Sequence, residues 1–232
     1  MWLKISYIGL TAATVLFLMI IGFKAIEDSS SNIKKDKITL VIGLLLWQLL
    51  IFTIASSGIL KTYDFPPRFA LAFILPSFIF TGIFLYRNRN EKWINSIPES
   101  WIIYFQSYRI LVETLFVFTV ARGILNPQVT IEGYNVDMIF AFSAPIIAYQ
   151  VYERGLLPRR FIRTWNYIGL TVIASIIFLF MTSLYKPEIY GSESPLIPLE
   201  AFSYPYVLIA GFLMPTAVFL HILSIIQLHK KR

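Results

Sequence analysis

The chain has 232 residues, 57% of them hydrophobic and 14% charged, with a mean hydropathy of +0.69. That balance excludes a soluble globular domain, which needs more polar surface than this chain can supply. The net charge of +7 does not point to nucleic acid, because the basic residues sit in short loops between apolar runs and form no solvated groove-reading patch. With no cysteine there is no disulfide, thiolate metal site or cysteine nucleophile.

A bilayer core about 30 Å thick takes roughly 20 residues per helix. Apolar runs of about that length cover 2–23, 38–60, 69–86, 101–121, 136–152, 165–185 and 206–228. They predict one all-α transmembrane domain over 1–232, a polytopic bundle of seven helices. The first run could be mistaken for a secretory leader. Its apolar stretch is too long for that, no small-residue cleavage site follows, and Lys24 comes directly after it, so it reads as a retained helix.

Loop charge gives an orientation. The segments 24–37, 87–100 and 153–164, with the tail 229–232, hold 14 Lys and Arg, whereas the opposite side holds Lys4, Lys61, Arg68, Arg122 and Lys186. Excess basic charge in short loops marks the cytoplasmic side, so the amino terminus is expected outside and the carboxyl terminus inside. The longest outer segment, 186–205, carries four prolines and Glu188, Glu193 and Glu200, and reads as an irregular lid or, more simply, a solvated connector. Pro76, Pro145 and Pro215 fall inside the third, fifth and seventh runs, where each removes a donor and frees a carbonyl one turn earlier. No internal repeat or low-complexity tract is visible.

Ionisable groups inside an apolar run carry the most information. Arg109 and Glu113 lie in the fourth run, where a central charge costs about 2.5–3.5 kcal/mol on insertion scales. Their i, i+4 spacing places them on one face with Gln106, so they are expected to pair with each other and turn inward. Counting depth at about 1.5 Å per residue puts His221 at the level of Arg109 and Gln48 near the midplane, with Asn166 lower. The same count places Asp137 at the outer mouth, beside Arg122. The candidate ligand-binding set is therefore Gln48, Gln106, Arg109, Glu113 and His221, with Asp137, Asn166 and Arg122 secondary.

Several chemistries are excluded. Retinal attachment needs a lysine in the seventh run, which has none, and bis-histidine haem needs two facing histidines where only His221 is available, so no cofactor is expected. The same histidine count excludes a histidine-ligated zinc hydrolase. Ser57 is expected near the outer face, too far from His221 for a nucleophile–base pair.

From about Ile97 to the end the chain resembles a family of uncharacterised bacterial seven-span membrane proteins. The resemblance is carried by Ile97-Pro98-Glu99-Ser100-Trp101, Gln106 with Tyr108-Arg109, Asp137, Ala144-Pro145, Trp165-Asn166-Tyr167-Ile168-Gly169 and His221-Ile222-Leu223-Ser224. It departs at Val136, where a glycine is expected, and at Asn126-Pro127. The resemblance implies the bacterial cytoplasmic membrane and adds weight to Arg109, Asp137, Asn166 and His221.

The leading functional reading is a non-enzymatic bundle that binds a small molecule, lipid or ion around Arg109, Glu113, Gln48 and His221 for transport or sensing. In it Arg109 holds an anionic group. The alternatives are an accessory subunit that contacts another membrane protein, and a lipid-modifying enzyme with Glu113 or His221 as base.

Overall fold

The computed structural model describes residues 1–230, so Lys231 and Arg232, counted above with the basic tail, lie outside the described residues. The long helices are α1 (Trp2–Ser29) and α2 (Ile33–Ser56), then α3 (Leu75–Asn88). The short α4 (Trp93–Ser96) leads into α5 (Glu99–Phe105) and α6 (Tyr108–Val120). They are followed by α7 (Asp137–Ala148), α8 (Arg159–Tyr185) and α9 (Met214–Lys230). Six units, Trp2–Ser29, Ile33–Ser56, Ala70–Asn88, Glu99–Val120, Arg159–Tyr185 and Ile209–His229, are long and apolar enough to cross a membrane. The protein is a multi-pass, all-α membrane bundle. The count of seven is not reached on length, because the fifth predicted run holds only the 12 residues of α7 and a five-residue π turn, Tyr149–Glu153.

Burial identifies the centre. Glu99–Val120 and Ile209–His229 bury 56% and 61% of their apolar windows inside the bundle, against 11% to 28% for the other four units. The central pair is ringed by α1, α3, α7 and α8, with α2 outermost against α1.

The fourth predicted run is not one regular helix. Between α5 and α6 the backbone tightens, with Gln106 N–H donating to Ile103 O, Ser107 to Tyr104 O, Arg109 to Gln106 O and Ile110 to Ser107 O. The Ser107 hydroxyl competes for Tyr104 O at 2.6 Å. Such i→i−3 steps bring residues three apart into line, here Gln106 and Arg109.

Two of the prolines act through the turn before them. Pro76 and Pro215 each follow a π turn, Ala70–Ile74 and Ile209–Leu213, in which the residue just before the proline donates five residues back. A proline ring clashes with the carbonyl four residues earlier, and widening the turn makes room for it. At Pro215 the freed carbonyl is that of Gly211, and it accepts the Trp47 indole N–H at 2.9 Å. The expectation of no internal repeat is corrected here. Pro66, Phe73, Pro76 and Phe80 recur at one constant spacing as Pro205, Phe212, Pro215 and Phe219, and the two helices so built pack against each other.

The segments 57–69, 121–136 and 186–208 gather at one end of the bundle. Tyr63 Oη donates to Ile197 O at 3.1 Å, Lys61 pairs with Glu200 at 3.0 Å, and Gln128 donates to Tyr190 O at 3.3 Å. The Lys61 hydrogen bond holds the Glu200 carboxyl below its usual range. The clamp therefore persists at neutral pH and is lost only as the pH falls through that lowered value. Leu196, Ile197 and Phe202 are buried, so the second half of the 186–208 segment packs onto the bundle, whereas its first half, with Lys186, Glu188, Ile189, Gly191, Glu193 and Ser194 exposed, is a solvated connector.

Removing the cap on Gly211 tests the proline account. Trp47→Phe leaves a carbonyl unpaired where no water replaces the donor, which lowers stability by about 1–2 kcal/mol. Thermal unfolding in nanodiscs reads this as a lower Tm, and an unchanged Tm would show that the carbonyl is satisfied another way.

Candidate functional site

The site is built where α7 begins. The chain after α6 turns back on itself through 126–136, with Gly133 lying so close to Gln128 that a Cβ there would sit 2.4 Å from its carbonyl oxygen. This fold-back carries Val129, Thr130, Asn135 and Asp137 inside the bundle, each no more than 5% exposed. Asn135 Oδ1 accepts the Asp137 N–H at 2.9 Å and satisfies one of the free donors at the start of α7. A carboxylate in that first turn is also favoured by the helix dipole.

Arg109 is 3% exposed and turns to this helix start rather than to Glu113. Its Nε donates to Asp137 Oδ2 at 3.0 Å and its Nη2 donates to Asp137 Oδ1, a two-pronged charge-assisted pair. The third nitrogen, Nη1, lies 3.1 Å from His221 Nε2. A guanidinium can only donate, so His221 Nε2 accepts and its proton is on Nδ1, which donates to Asn166 Oδ1 at 2.8 Å. Asn166 in turn donates to Ser224 Oγ at 2.9 Å and to Ile162 O at 2.8 Å. Buried donors thus run in one direction from Arg109 to Ser224. Protonated His221 would set two cations 3.1 Å apart, so the arrangement requires a neutral ring. Phe140 lies 5.3 Å from the guanidinium and stacks on Trp165.

Glu113 is left over. It is 1% exposed, its Oε1 accepts from Asn135 Nδ2 at 3.0 Å, and its Oε2 has no hydrogen-bond partner among the described residues. One guanidinium therefore faces two carboxylates, and with Asp137 on its Nε–Nη2 edge and His221 on Nη1 no complete edge is left for a second one. Glu113 borders a cavity of about 90 Å³ between α6, α8, α9 and the start of α3. Arg109, Asp137 and Tyr108 also line it, and the rest of the wall, including Phe116, Ile173, Ile177, Phe180 and Met214, is apolar.

The expected pairings change accordingly. Asp137 is buried in the bundle, and its partner is Arg109, not Arg122, which is exposed. Gln106 is buried and donates weakly to Ala217 O at 3.3 Å, but it does not line the cavity. Gln48 sits on the outermost helix and stands apart from the cluster, its amide nitrogen unpartnered. His221 and Asn166 join Arg109 as one network. Asn135 was absent from the candidate set, although an Asn two residues before an acid at the head of an apolar run is a helix-start signal.

No protein family, curated protein sequence or solved structure matches the chain. The resemblance to bacterial seven-span proteins is corrected by that result, and the residues that carried it stand on their geometry alone.

Gly169 tests the network without touching its charges. A Cβ there would lie 2.4 Å from His221 Cε1 and 2.8 Å from Phe140. Gly169→Ala is expected to push His221 off Arg109 and lower stability by about 1–3 kcal/mol, the usual cost of overpacking a tight contact. A histidine ring NMR spectrum that keeps its Nδ1 proton and its shifts would show that the ring has not moved.

Proposed function

We propose that the protein is a non-enzymatic membrane bundle that binds a small membrane-soluble molecule in the cavity beside Glu113, through a cationic or hydrogen-bond-donating end. The carrying observation is a buried carboxylate, one of whose oxygens has no partner among the described residues, in the lining of a cavity whose other charged residues, Arg109 and Asp137, are paired with each other. A bound cation restores neutrality to a cluster that otherwise holds one carboxylate too many, and a neutral donor satisfies the free oxygen. Arg109 is not the anchor, because its three nitrogens are engaged. A bare metal ion is disfavoured because it needs several oxygen ligands, whereas Glu113 Oε2 is the one free oxygen bordering the cavity. The enzyme reading loses its base at His221, both of whose nitrogens are committed.

In this reading the 137–153 unit is a seventh crossing, shortened because its start lies below the end of the bundle. The 186–208 segment then faces outside, as the loop charges indicate. The cysteine-free chain makes this directly testable: Ser194→Cys should react with a membrane-impermeant maleimide on intact cells, and Asn90→Cys only after lysis. The reverse pattern would invert the orientation.

Glu113→Gln keeps a similar shape and an acceptor for Asn135 while removing the charge. A charge-assisted hydrogen bond is worth about 1.5–3 kcal/mol, so the variant should bind roughly 10- to 150-fold more weakly. Native mass spectrometry of the gently purified protein should show a retained small molecule on the wild type and its loss in the variant. Equal retention by both, or none by the wild type, would contradict the assignment.

A further inference from the structure

The cavity beside Glu113 does not end at its own walls. A second cavity of about 60 Å³ lies next to it and shares Phe69, Phe116, Phe180, Ile209 and Ala210. The two are stacked along the bundle. On α6 the first is lined from Tyr108 to Phe116 and the second from Phe116 to Thr119, while on the opposing wall the order runs from Ala217 up to Ile209 and then to Tyr206. At about 1.5 Å per residue, Tyr108 to Thr119 spans roughly 16 Å, and Glu113 lies near its middle, roughly 9 Å from Thr119.

The chemistry of the two ends differs. Within the first cavity, one turn from the Phe116 that both share, stands Glu113, whose Oε2 has no hydrogen-bond partner among the described residues. At the far end Tyr7 Oη bonds Thr119 Oγ1 at 2.7 Å and Thr119 also donates to Leu115 O, so these two hydroxyls are already satisfied, and Tyr206 is the other hydroxyl in the lining. Buried Ile197 and Phe202 of the 186–208 segment form the roof. The waist is aromatic, with Phe116 and Phe180 rings 6.1 Å apart and Phe69 stacked on Phe202 at 4.8 Å. Such a track offers a charge or donor a partner at Glu113 and mainly apolar walls beyond the waist.

We infer that the ligand is a single-chain amphiphile whose cationic or donor head sits at Glu113 and whose hydrocarbon tail passes the aromatic waist into the second cavity. This rests on the Glu113 reading and adds the tail and its length. It also explains the roof, which closes over a tail that would otherwise meet water at the loop end.

The test uses the full chain in lipid nanodiscs with two probes, hexylamine and dodecylamine, their concentrations expressed per lipid, and dodecanoate as the wrong-charge control. Ala201→Phe fills the second cavity and leaves the first untouched. Wild type should bind both amines and not dodecanoate. The variant should bind dodecylamine about tenfold or more weakly, as overpacking predicts, and hexylamine within about twofold of wild type. Phe202→Ala enlarges the same cavity and should bind hexadecylamine more tightly than wild type does, a gain that does not depend on Ala201→Phe folding. If wild type binds neither amine, the Glu113 reading and this one fall together. If both amines bind but Ala201→Phe weakens them equally, or Phe202→Ala brings no gain for the longer chain, only the tail placement is overturned.

Discussion

A guanidinium in the middle of an apolar bundle must find a counter-charge, and the way Arg109 finds one organises the rest of the structure. Removing two charges from water costs several kcal/mol per ion, recovered only when the geometry is good and the remaining donors are also satisfied. Asp137 supplies the charge and two acceptor oxygens, while His221 supplies the third acceptor. Meeting that demand requires α7 to begin inside the bundle, which shortens the helix and brings Asn135 with it. Asn135 then reaches Glu113, so the position of the spare carboxylate follows from the pairing of the other one.

Backbone demands shape the opposite wall. Pro76 and Pro215 cannot donate, and the π turns ahead of them widen the helices where both border the cavity. The carbonyls of the second helix near its proline find unusual partners: Trp47 for Gly211 and Tyr108 Oη, at 2.5 Å, for Leu213. Without water to take these groups, side chains must. The aromatic residues that do so hold α2 and α6 against the break, which fixes the cavity's width.

Much of this was legible in the chain and some was not, for identifiable reasons. Hydropathy over about 20 residues reports burial in lipid directly, so six long spans appear in both readings. The fifth run is apolar enough to be read as a span, but the pattern does not reveal that its first residues fold back below the end of the bundle. Depth counting assumed that every helix starts at the membrane surface. It agrees with the contact between Arg109 and His221 and not with the pairing of Asp137, whose helix begins inside the bundle. The i, i+4 spacing of Arg109 and Glu113 shows only that they can meet, and a better-placed bidentate partner from another helix wins. The repeat of Pro66, Phe73, Pro76 and Phe80 rests on four positions, too few to stand out from an apolar background.

The central claim is that Asp137, and not Glu113, neutralises Arg109. Double-mutant cycles on stability in nanodiscs test it most directly, pairing Arg109→Met once with Asp137→Leu and once with Glu113→Leu. The account predicts a coupling of about 3 kcal/mol or more between Arg109 and Asp137, because either single change strands a buried charge, and less than about 1 kcal/mol between Arg109 and Glu113. A larger coupling for Arg109 with Glu113 would contradict it.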